Sequence, residues 1–362
     1  MDLTLTDEQQ MLSDVARTFV EGRCPPARAR AISATADMFD GDLWAAMGSL
    51  GWPGLPILAA DGGAGAGAAE IALVCEALGR GPVPSPLVVS TTLAALPIAW
   101  AGTDEQRARW LPALASGEAI GTMAIIEPGG RDEWDEPQLP GGASLRGTKI
   151  LVQWASVADV VLVATADGLH LVEPRNGAVT ITRHDDLGAE PLHALELADA
   201  PAERLGGGGG PDHAALLRRA LDHAAVAQLA YVVGAADRTL AMTVEHAGTR
   251  QQFGRPIGAF QAVAHRCVDM RTDLDACRYL AYRAAWALDQ GTEADFEVAT
   301  AKAYANDALR RIFGNAHQVH GAIGFSTEHD LHLFTRRAKS FELTYGTTAH
   351  QLDRVADAMG LR

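Results

Sequence analysis

Three segments of the sequence combine glycine with charged, amide and aromatic residues at spacings too specific for the surface of an ordinary helix. They are Arg250–Gln261 (RQQFGRPIGAFQ), Gln318–Glu328 (QVHGAIGFSTE) and Arg336–Thr347 (RRAKSFELTYGT). Taken singly, they also fit a Gly-Pro junction between helices, a glycine helix stop and a solvated basic turn. Each segment is therefore either part of a ligand-binding or catalytic site or a purely structural element. The three segments must be considered together to decide between these roles.

Two glycine-rich stretches are poor candidates for nucleotide binding. The spacing of the glycines in Gly62–Gly67 does not fit the GxGxxG dinucleotide fingerprint, and no alternating strand pattern precedes them. This stretch therefore predicts a turn that leads into a helix. The run Gly206–Gly210 is followed by Pro211 and by no GK[ST], so it predicts a flexible connector rather than a phosphate loop.

The cysteines show no metal-binding pattern. They lie far apart, form no CxxC pair and have no metal-like spacing to a pair of histidines. We expect reduced core thiols, as is usual in a cytoplasmic protein, and no metal site. The four are Cys24, Cys75, Cys267 and Cys277.

Composition narrows the class of protein. The 362 residues carry a formal charge of −15, and 48% of them are apolar, so a buried core is feasible. The basic residues are scattered, which argues against a nucleic-acid surface, although an acidic chain can still hold a phosphorylated cofactor locally. The polar, acidic N-terminus and the lack of an 18-residue apolar run predict neither export nor membrane insertion. A cytoplasmic location is expected.

The elements that must position the three segments fall into three predicted domains. Residues 1–119 are helical from an N-cap-like Thr6, whereas residues 120–210 contain short β-branched runs (TKILVQW, DVVLVATA, LHLVEP, AVTITR) separated by Gly, Asp and Asn turns. These runs predict a small antiparallel β domain. Residues 211–362 are helical again. We expect an α+β fold that is mostly α.

An apolar seam indicates how the last helices pack. Its residues recur at alternating steps of four and three, which places them on one helix face. Neighbouring stretches are similarly rich in alanine, and together they predict a C-terminal four-helix bundle. The seam consists of Val263, Cys267, Met270, Leu274, Cys277, Ala281, Ala284 and Leu288.

Together, and in this order, the three segments resemble the acyl-CoA dehydrogenase family. Its motifs R-x-Q-F-G-x-P-I-x-x-F-Q, Q-x-x-G-G-x-G and R-x-A-K…E-G-T are matched in turn, with single departures. Asp61–Gly63 and Glu127–Gly129 extend the resemblance over nearly the whole chain.

The resemblance implies a subunit that holds FAD between the β domain and the helical bundle, with the adenine and pyrophosphate end completed by a neighbouring subunit. In the family, a glutamate removes the α proton of an acyl-CoA while hydride leaves the β carbon for the flavin. By comparison, Arg250 would reach the pyrophosphate, Phe253 would pack near the adenine half, and three residues would contact the adenosine part. Those three are Gln318, Gly321 and Gly324, and Gln252 and Thr347 also match cofactor-binding positions.

The departures concern mainly the flavin ring and the substrate. The second glycine of Q-x-x-G-G is Ala322, and the flavin-covering loop reads IEPGGRD over Ile126–Asp132, without the family's Thr and Ser. The Trp-x-Thr pair aligns with Leu151 and Gln153, although Trp154 is adjacent. An arginine that usually lies beside the active site aligns with Ala225, and the catalytic glutamate before Gly-Thr is Tyr345.

Tyr345 is a poor substitute for a carboxylate base. A phenol with an ordinary pKa of about 10 is ionised to roughly one part in a thousand at neutral pH. Some family members place the glutamate on the preceding long helix, where this chain has Ala224. Asp222, His223 and Glu342 are other candidate bases, but each is explained as readily by a surface or packing role.

These observations favour a base-lacking subunit of a hetero-oligomeric acyl-CoA dehydrogenase, in which a homologous partner supplies the base. The chain is similar to the shorter subunits of bacterial two-component enzymes, which act on bulky CoA thioesters such as steroid side chains. The implied partners are that subunit, an acyl-CoA, and electron-transfer flavoprotein or another acceptor. An active homo-oligomer with an unusual base and a non-enzymatic binding protein are the alternatives.

Overall fold

The computed structural model of this chain describes residues 4–129, 134, 136–188, 190–208, 212–291 and 294–361. Contacts divide the chain into two compact units. The first comprises Met1–Ala31, Ala72–Val83 and Val226–Arg362, and the second comprises Ile32–Ile71 and Pro84–Ala225. The α+β, mostly helical class is confirmed. The three-domain boundaries at 119/120 and 210/211 stay a prediction.

The predicted helix start at Thr6 is confirmed. The N–H of Gln9 donates to the Thr6 hydroxyl at 3.2 Å, and the Gln9 side chain accepts the N–H of Thr6 at 3.1 Å. This capping box satisfies two N–H groups that have no partner inside the helix. The N-terminal helices are α1 (Asp7–Arg23), α2 (Pro26–Ser33), α3 (Gly41–Ser49), α4 (Ala68–Arg80), α5 (Leu96–Ala101) and α6 (Asp104–Ser116).

The two glycine-rich stretches contain turns. Before α4, Gly62 and Gly65 have φ of 92° and 69°, left-handed values that glycine adopts at little cost, so the predicted turn into a helix is confirmed. In the later stretch, Leu205–Gly208 form a kinked turn in which Gly206 and Gly207 have left-handed φ values of 72° and 62°. Gly209, Gly210 and Pro211 lie outside the described residues.

The β part lies within the second unit, and all four predicted strand runs are strands. A four-stranded sheet has the order β1-β3-β4-β7, a three-stranded sheet has the order β2-β6-β5, and the two share one apolar core. The strands are β1 (Gly121–Ala124), β2 (Ser144–Gln153), β3 (Val160–Thr165), β4 (Gly168–Val172), β5 (Val179–Arg183), β6 (Leu192–Pro201) and β7 (Glu203–Arg204).

One strand pair differs from the antiparallel expectation. β1 runs parallel to β3, with Gly121 opposite Val160, while the other pairs of these two sheets are antiparallel. The reason is topological, because β2 lies between them in sequence but belongs to the other sheet. The chain therefore returns to β3 in the same direction as β1.

The C-terminal helices include the longest among the described residues, and the middle of the predicted seam on α8 is buried, while Val263, Cys267 and Leu288 at its ends are half-buried. Met270, Leu274 and Cys277 on α8 are fully buried, as are two small residues that continue the line, Ala281 and Ala284. The four cysteines are free thiols. The C-terminal elements are α7 (His213–Thr249), β8 (Gln251–Gln252), β9 (Arg255–Pro256), α8 (Gln261–Asp289), α9 (Asp295–His320), α10 (Leu331–Leu343) and α11 (Thr348–Ala358).

Within the first unit, α4 and α7 cross at a pair of glycines. A Cβ added to Gly79 would lie 1.7 Å from the carbonyl oxygen of Tyr231, and one added to Gly234 would lie 1.9 Å from that of Glu76. Each helix thus places a glycine against the backbone of the other. Only residues without a side chain permit so close an approach.

Beside this crossing, charged side chains join α4, α7 and α8. Arg278 donates to Glu76 at 3.0 Å and to Asp237 at 3.1 Å, and Asp237 also pairs with Arg80. The Tyr282 hydroxyl donates to the second oxygen of Glu76 at 2.7 Å. The buried Glu76 is therefore fully partnered, as a buried carboxylate must be.

No helix among the described residues has the length and apolar character needed to cross a membrane.

The glycine crossing can be tested by adding one methyl group. Gly234→Ala should lower the free energy of unfolding by about 1–3 kcal/mol, because the new Cβ overpacks against the backbone of α4. Gly314→Ala is the matched control, since Gly314 lies inside α9 with nothing within 4 Å of its added Cβ. The control should be neutral or stabilising by up to about 1 kcal/mol. Urea unfolding followed by circular dichroism measures both, and equal effects would contradict the tight crossing.

Candidate functional site

The segment Arg250–Gln261 forms a hairpin at the end of α7. β8 and β9 pair with Gln252 opposite Arg255, so the loop consists of Phe253 and Gly254. Their φ values of 52° and 77° are both left-handed, as in a type I′ turn. Glycine adopts this conformation readily, whereas a bulky side chain such as phenylalanine rarely does.

This turn exposes an aromatic ring to solvent. The Phe253 side chain is 92% exposed and touches Phe260 edge to face, with ring centroids 6.1 Å apart. The guanidinium of Arg255 lies 4.2 Å from the centroid of the Phe260 ring. The base of the hairpin is thus packed within the unit, while its tip is not.

Arg250 lies at the start of the hairpin with a fixed backbone and an exposed side chain. Its N–H donates to the carbonyl of His246, and its carbonyl accepts the N–H of Ile257, both at 2.9 Å. Among the described residues, its guanidinium makes no ion pair. Gln252 beside it is also exposed. Arg250 can therefore bind an anion that comes from outside this unit.

The second predicted segment begins in the last turn of α9 and continues into a short 3₁₀ helix. Gln318 is exposed, and Gly321 ends α9 with φ 64° and ψ −142°, a conformation open essentially to glycine alone. Gly324 is buried, and a Cβ there would lie 3.1 Å from the Cβ of His320. Ala322, at the departure from the family motif, is exposed.

Four histidines surround this turn, a cluster that the sequence analysis missed. The rings of His246 and His320 stack at 4.6 Å, His329 lies 4.9 Å from His320, and His317 stacks on Phe325 at 4.6 Å. Burial lowers the pKa of His320, and the neighbouring histidines lower it further. Burial also lowers the pKa values of His246 and His317, so the neutral forms of His246, His317 and His320 are favoured near physiological pH. The repeated His-x-x-His spacing at 317/320 and 329/332 was the available signal.

The third segment places Tyr345 between α10 and α11 in a confined position. Its side chain is only 4% exposed, its φ is 57°, and its carbonyl accepts the Gln351 amide at 2.8 Å. Thr347 is the N-cap of α11, where its hydroxyl accepts the N–H of His350. The backbone at the family's catalytic position is thus fixed from both sides.

A buried lysine holds the preceding helix end. Lys302 on α9 donates to the carbonyl of Phe341 at 2.6 Å and to the Asn306 side chain at 2.7 Å. Burial lowers the pKa of Lys302 well below its ordinary value. A donor at the last carbonyls of α10 satisfies groups that the helix itself leaves unpaired. Lys302 therefore fixes where α10 stops before Tyr345.

The three alternative bases lie in different environments. Burial and the charge of Arg219 lower the pKa of His223 to about 3, so its imidazole is a weak proton acceptor at neutral pH. Glu342 pairs with Lys339 at 2.9 Å and with Arg310 at 3.8 Å. Asp222 is buried on α7 at 5% exposure.

Two neighbouring positions of α7, where family members place the catalytic glutamate or an arginine, carry no titratable side chain. Ala224 and Ala225 are both buried and present only methyl groups. Among the described residues, no three His, Cys, Asp or Glu side chains are grouped so as to hold a metal ion.

In the second unit lie the residues that align with the family's Trp-x-Thr pair. The Gln153 carbonyl accepts the Thr122 hydroxyl at 2.6 Å, and Trp154 is buried with φ 58°. Leu151 is 41% exposed at an irregularity of β2. None of these repeats the family's Trp-x-Thr pair.

The start of the covering loop is anchored by a buried ion pair. Lys149 donates to Glu127 at 2.5 Å and to the carbonyl of Ile125 at 2.8 Å. Burial alone would raise the pKa of Glu127, but hydrogen bonds from Lys149, Leu139 and Gln138 outweigh it and lower that pKa. Glu127 is thus a structural anchor. Gly130, Arg131 and Asp132 lie outside the described residues.

Comparisons with known proteins cover most of the chain. Residues 6–118 match the acyl-CoA dehydrogenase N-terminal domain, and residues 214–360 match the C-terminal domain. The chain is 32% identical to the acyl-CoA dehydrogenase FadE27 of Mycobacterium tuberculosis, over 98% of both chains.

Two solved structures extend the comparison to three dimensions. The ChsE4–ChsE5 complex from Mycobacterium tuberculosis matches with a TM-score of 0.90 and 31% identity, over 100% of both chains. The structure of PigA with FAD and proline matches with a TM-score of 0.90 and 26% identity, again over 100% of both chains. The chain therefore belongs to the acyl-CoA dehydrogenase family, whose cofactor is FAD.

Proposed function

We propose that this chain is the base-lacking subunit of a hetero-oligomeric acyl-CoA dehydrogenase, and that it completes the FAD site of a homologous partner. The observation that carries the proposal is an asymmetry. The hairpin presents a 92% exposed Phe253 and an Arg250 that makes no ion pair among the described residues, whereas the family's catalytic position holds the buried phenol of Tyr345. Arg250 and Phe253 can contact a cofactor that a neighbouring subunit holds. The phenol of Tyr345 cannot act as a general base in this chain as a carboxylate would.

The described residues fit the adenine and pyrophosphate end of FAD. The Arg250 guanidinium has the forked donors that match phosphate oxygens, and Phe253 offers an aromatic face. Nothing lies within 4 Å of a Cβ added to Gly321, so this turn leaves room for a ligand next to its backbone. Gln318 and Gln252 are exposed nearby in sequence and carry amide groups that can hydrogen-bond.

In this proposal, the partner supplies the chemistry that this chain lacks. Bound FAD would accept hydride from the β carbon of an acyl-CoA, and a carboxylate of the partner would take the α proton. This chain's own residues would bind and orient the nucleotide end, which fixes the reactive end relative to the thioester. The relative ChsE4–ChsE5 is itself a complex, which supports a two-subunit assembly. A bulky acyl-CoA, electron-transfer flavoprotein or another acceptor, and a cytoplasmic location complete the proposal.

The assembly is expected to hold fewer flavins than subunits. Co-expression with a homologous partner should give a heterotetramer with one competent FAD site per heterodimer, while the chain alone should bind little FAD. Native mass spectrometry gives the subunit composition, and absorbance after denaturation counts the flavin. A homotetramer with one FAD per subunit that oxidises acyl-CoA would instead establish an active homo-oligomer. Absence of FAD in every assembly would establish a binding protein.

Arg250→Ala should weaken FAD binding to the co-expressed assembly by about 10- to 100-fold, because a hydrogen-bonded contact to a charged group contributes about 1.5–3 kcal/mol. Titration of the apo-assembly with FAD, followed by flavin fluorescence, measures the dissociation constant. The matched control is Arg271→Ala, whose guanidinium makes an exposed ion pair with Asp275 on α8. Unchanged FAD affinity in the Arg250 variant would remove Arg250 from the cofactor site.

Tyr345→Glu should not by itself give family-typical turnover in the isolated chain, because Leu151, Gln153 and Ala225 also depart from the family. Catalysis requires base, flavin and thioester to be aligned together. Acyl-CoA-dependent dye reduction measures the rate. In the assembly, Tyr345→Phe should leave turnover within about twofold, whereas loss of a true general base would reduce it about 10²- to 10⁴-fold. A loss of that size would identify Tyr345 as the base.

A further inference from the structure

A second candidate binding site lies in the first unit, away from the three predicted segments in sequence. It is a cavity of about 250 Å³ between the end of α1, the end of α4 and the middle of α7. Three arginines line it, Arg17, Arg80 and Arg238, together with one carboxylate, Glu21. Apolar and small residues form the rest of its wall.

The positive charge of this cavity is incompletely neutralised within the chain. Arg80 pairs with Asp237, but Asp237 is shared with Arg278. In the described residues, Arg17 and Arg238 make no ion pair. The cavity therefore has more guanidinium groups than carboxylates, in a chain whose formal charge is −15.

Helix ends account for only part of this arrangement. Arg80 is the last residue of α4, where the partial negative charge of a helix C-terminus favours a cation. Arg17 lies before the last turn of α1, and Arg238 lies in the interior of α7, so neither is a helix-terminal cation.

The arginines also repel one another. Burial lowers the pKa of Arg80, and the charges of Arg17 and Arg238 lower it further. Like charges around one cavity disfavour each other unless an anion lies between them. A bound anion would relieve this repulsion.

From this geometry we propose that the cavity binds a phosphate group, either as inorganic phosphate or as a phosphate monoester. The planar guanidinium presents paired N–H donors at a spacing that matches two phosphate oxygens. Arg17 and Arg238 supply donors that no described side chain of the unit pairs, and Arg80 is held in place by Asp237. The cavity has ample room for a tetrahedral anion and bound water. This site is independent of the flavin proposal.

Isothermal titration calorimetry of the full chain with inorganic phosphate tests the site, and AMP is the probe for a phosphate monoester. Saturable binding with a dissociation constant of about 1 mM or tighter is expected, and it should weaken as sodium chloride is added. The variants Arg17→Gln and Arg238→Gln should each weaken binding about tenfold or more. These positions are chosen because neither arginine has an ion pair whose loss would unfold the protein.

Two controls locate the binding. Arg271→Gln removes an exposed arginine of the same unit and should leave the affinity unchanged. Arg250→Ala should also leave it unchanged, which separates this cavity from the FAD site. Tighter binding of AMP than of phosphate would assign the site to an organic phosphate, and equal affinities would assign it to the free ion. The proposal would be overturned if phosphate showed no saturable binding. It would also be overturned if the Arg17→Gln and Arg238→Gln variants bound phosphate as tightly as the unsubstituted chain.

Discussion

The first unit depends on how closely α4 and α7 approach each other. Gly79 and Gly234 let each backbone touch the other, and this approach brings Glu76 of α4 and Asp237 of α7 to the same side of α8. Arg278 then bridges both carboxylates. Without the glycines, the two acids would separate, and the half-buried Arg278 would lose one of its carboxylate partners, which is costly. The steric constraint therefore comes first, and the ion pairs follow from it.

The same crossing determines what surrounds it. Arg278 contacts both Glu76 and Asp237, and Asp237 also pairs with Arg80 at the end of α4, while the neighbouring guanidinium of Arg238 makes no ion pair among the described residues. The basic cavity is thus a consequence of the ion-pair geometry. Farther along the chain, α7 ends at Thr249, and Arg250 leads into the hairpin. One long helix therefore contributes to the packing, the basic cavity and the candidate cofactor surface.

Sequence patterns predicted those elements that depend on residues close together in the sequence. The Thr6 cap, the α8 seam and the four β-branched runs each depend on neighbouring residues. The strand Leu192–Pro201 was missed because its alanines and acids have low strand propensity, and its pairing with β2 and β5 is non-local. The histidine cluster was missed because it joins α7, α9 and a later loop. Family motifs located Phe253 and Tyr345 in sequence, but their left-handed backbones and opposite exposures are properties of the fold.

The exposed tip of the hairpin has a consequence for the life of the chain in a cell. Phe253 is almost fully exposed to solvent, and Ile323 and Phe325 in the turn after α9 are 50% and 74% exposed. Apolar surface of this kind marks an interaction site, and it is also what promotes association with wrong partners when it stays uncovered. In the proposed hetero-oligomer, newly made copies would therefore depend on prompt pairing. The abundance of the chain would then follow the supply of its partner rather than its own rate of synthesis.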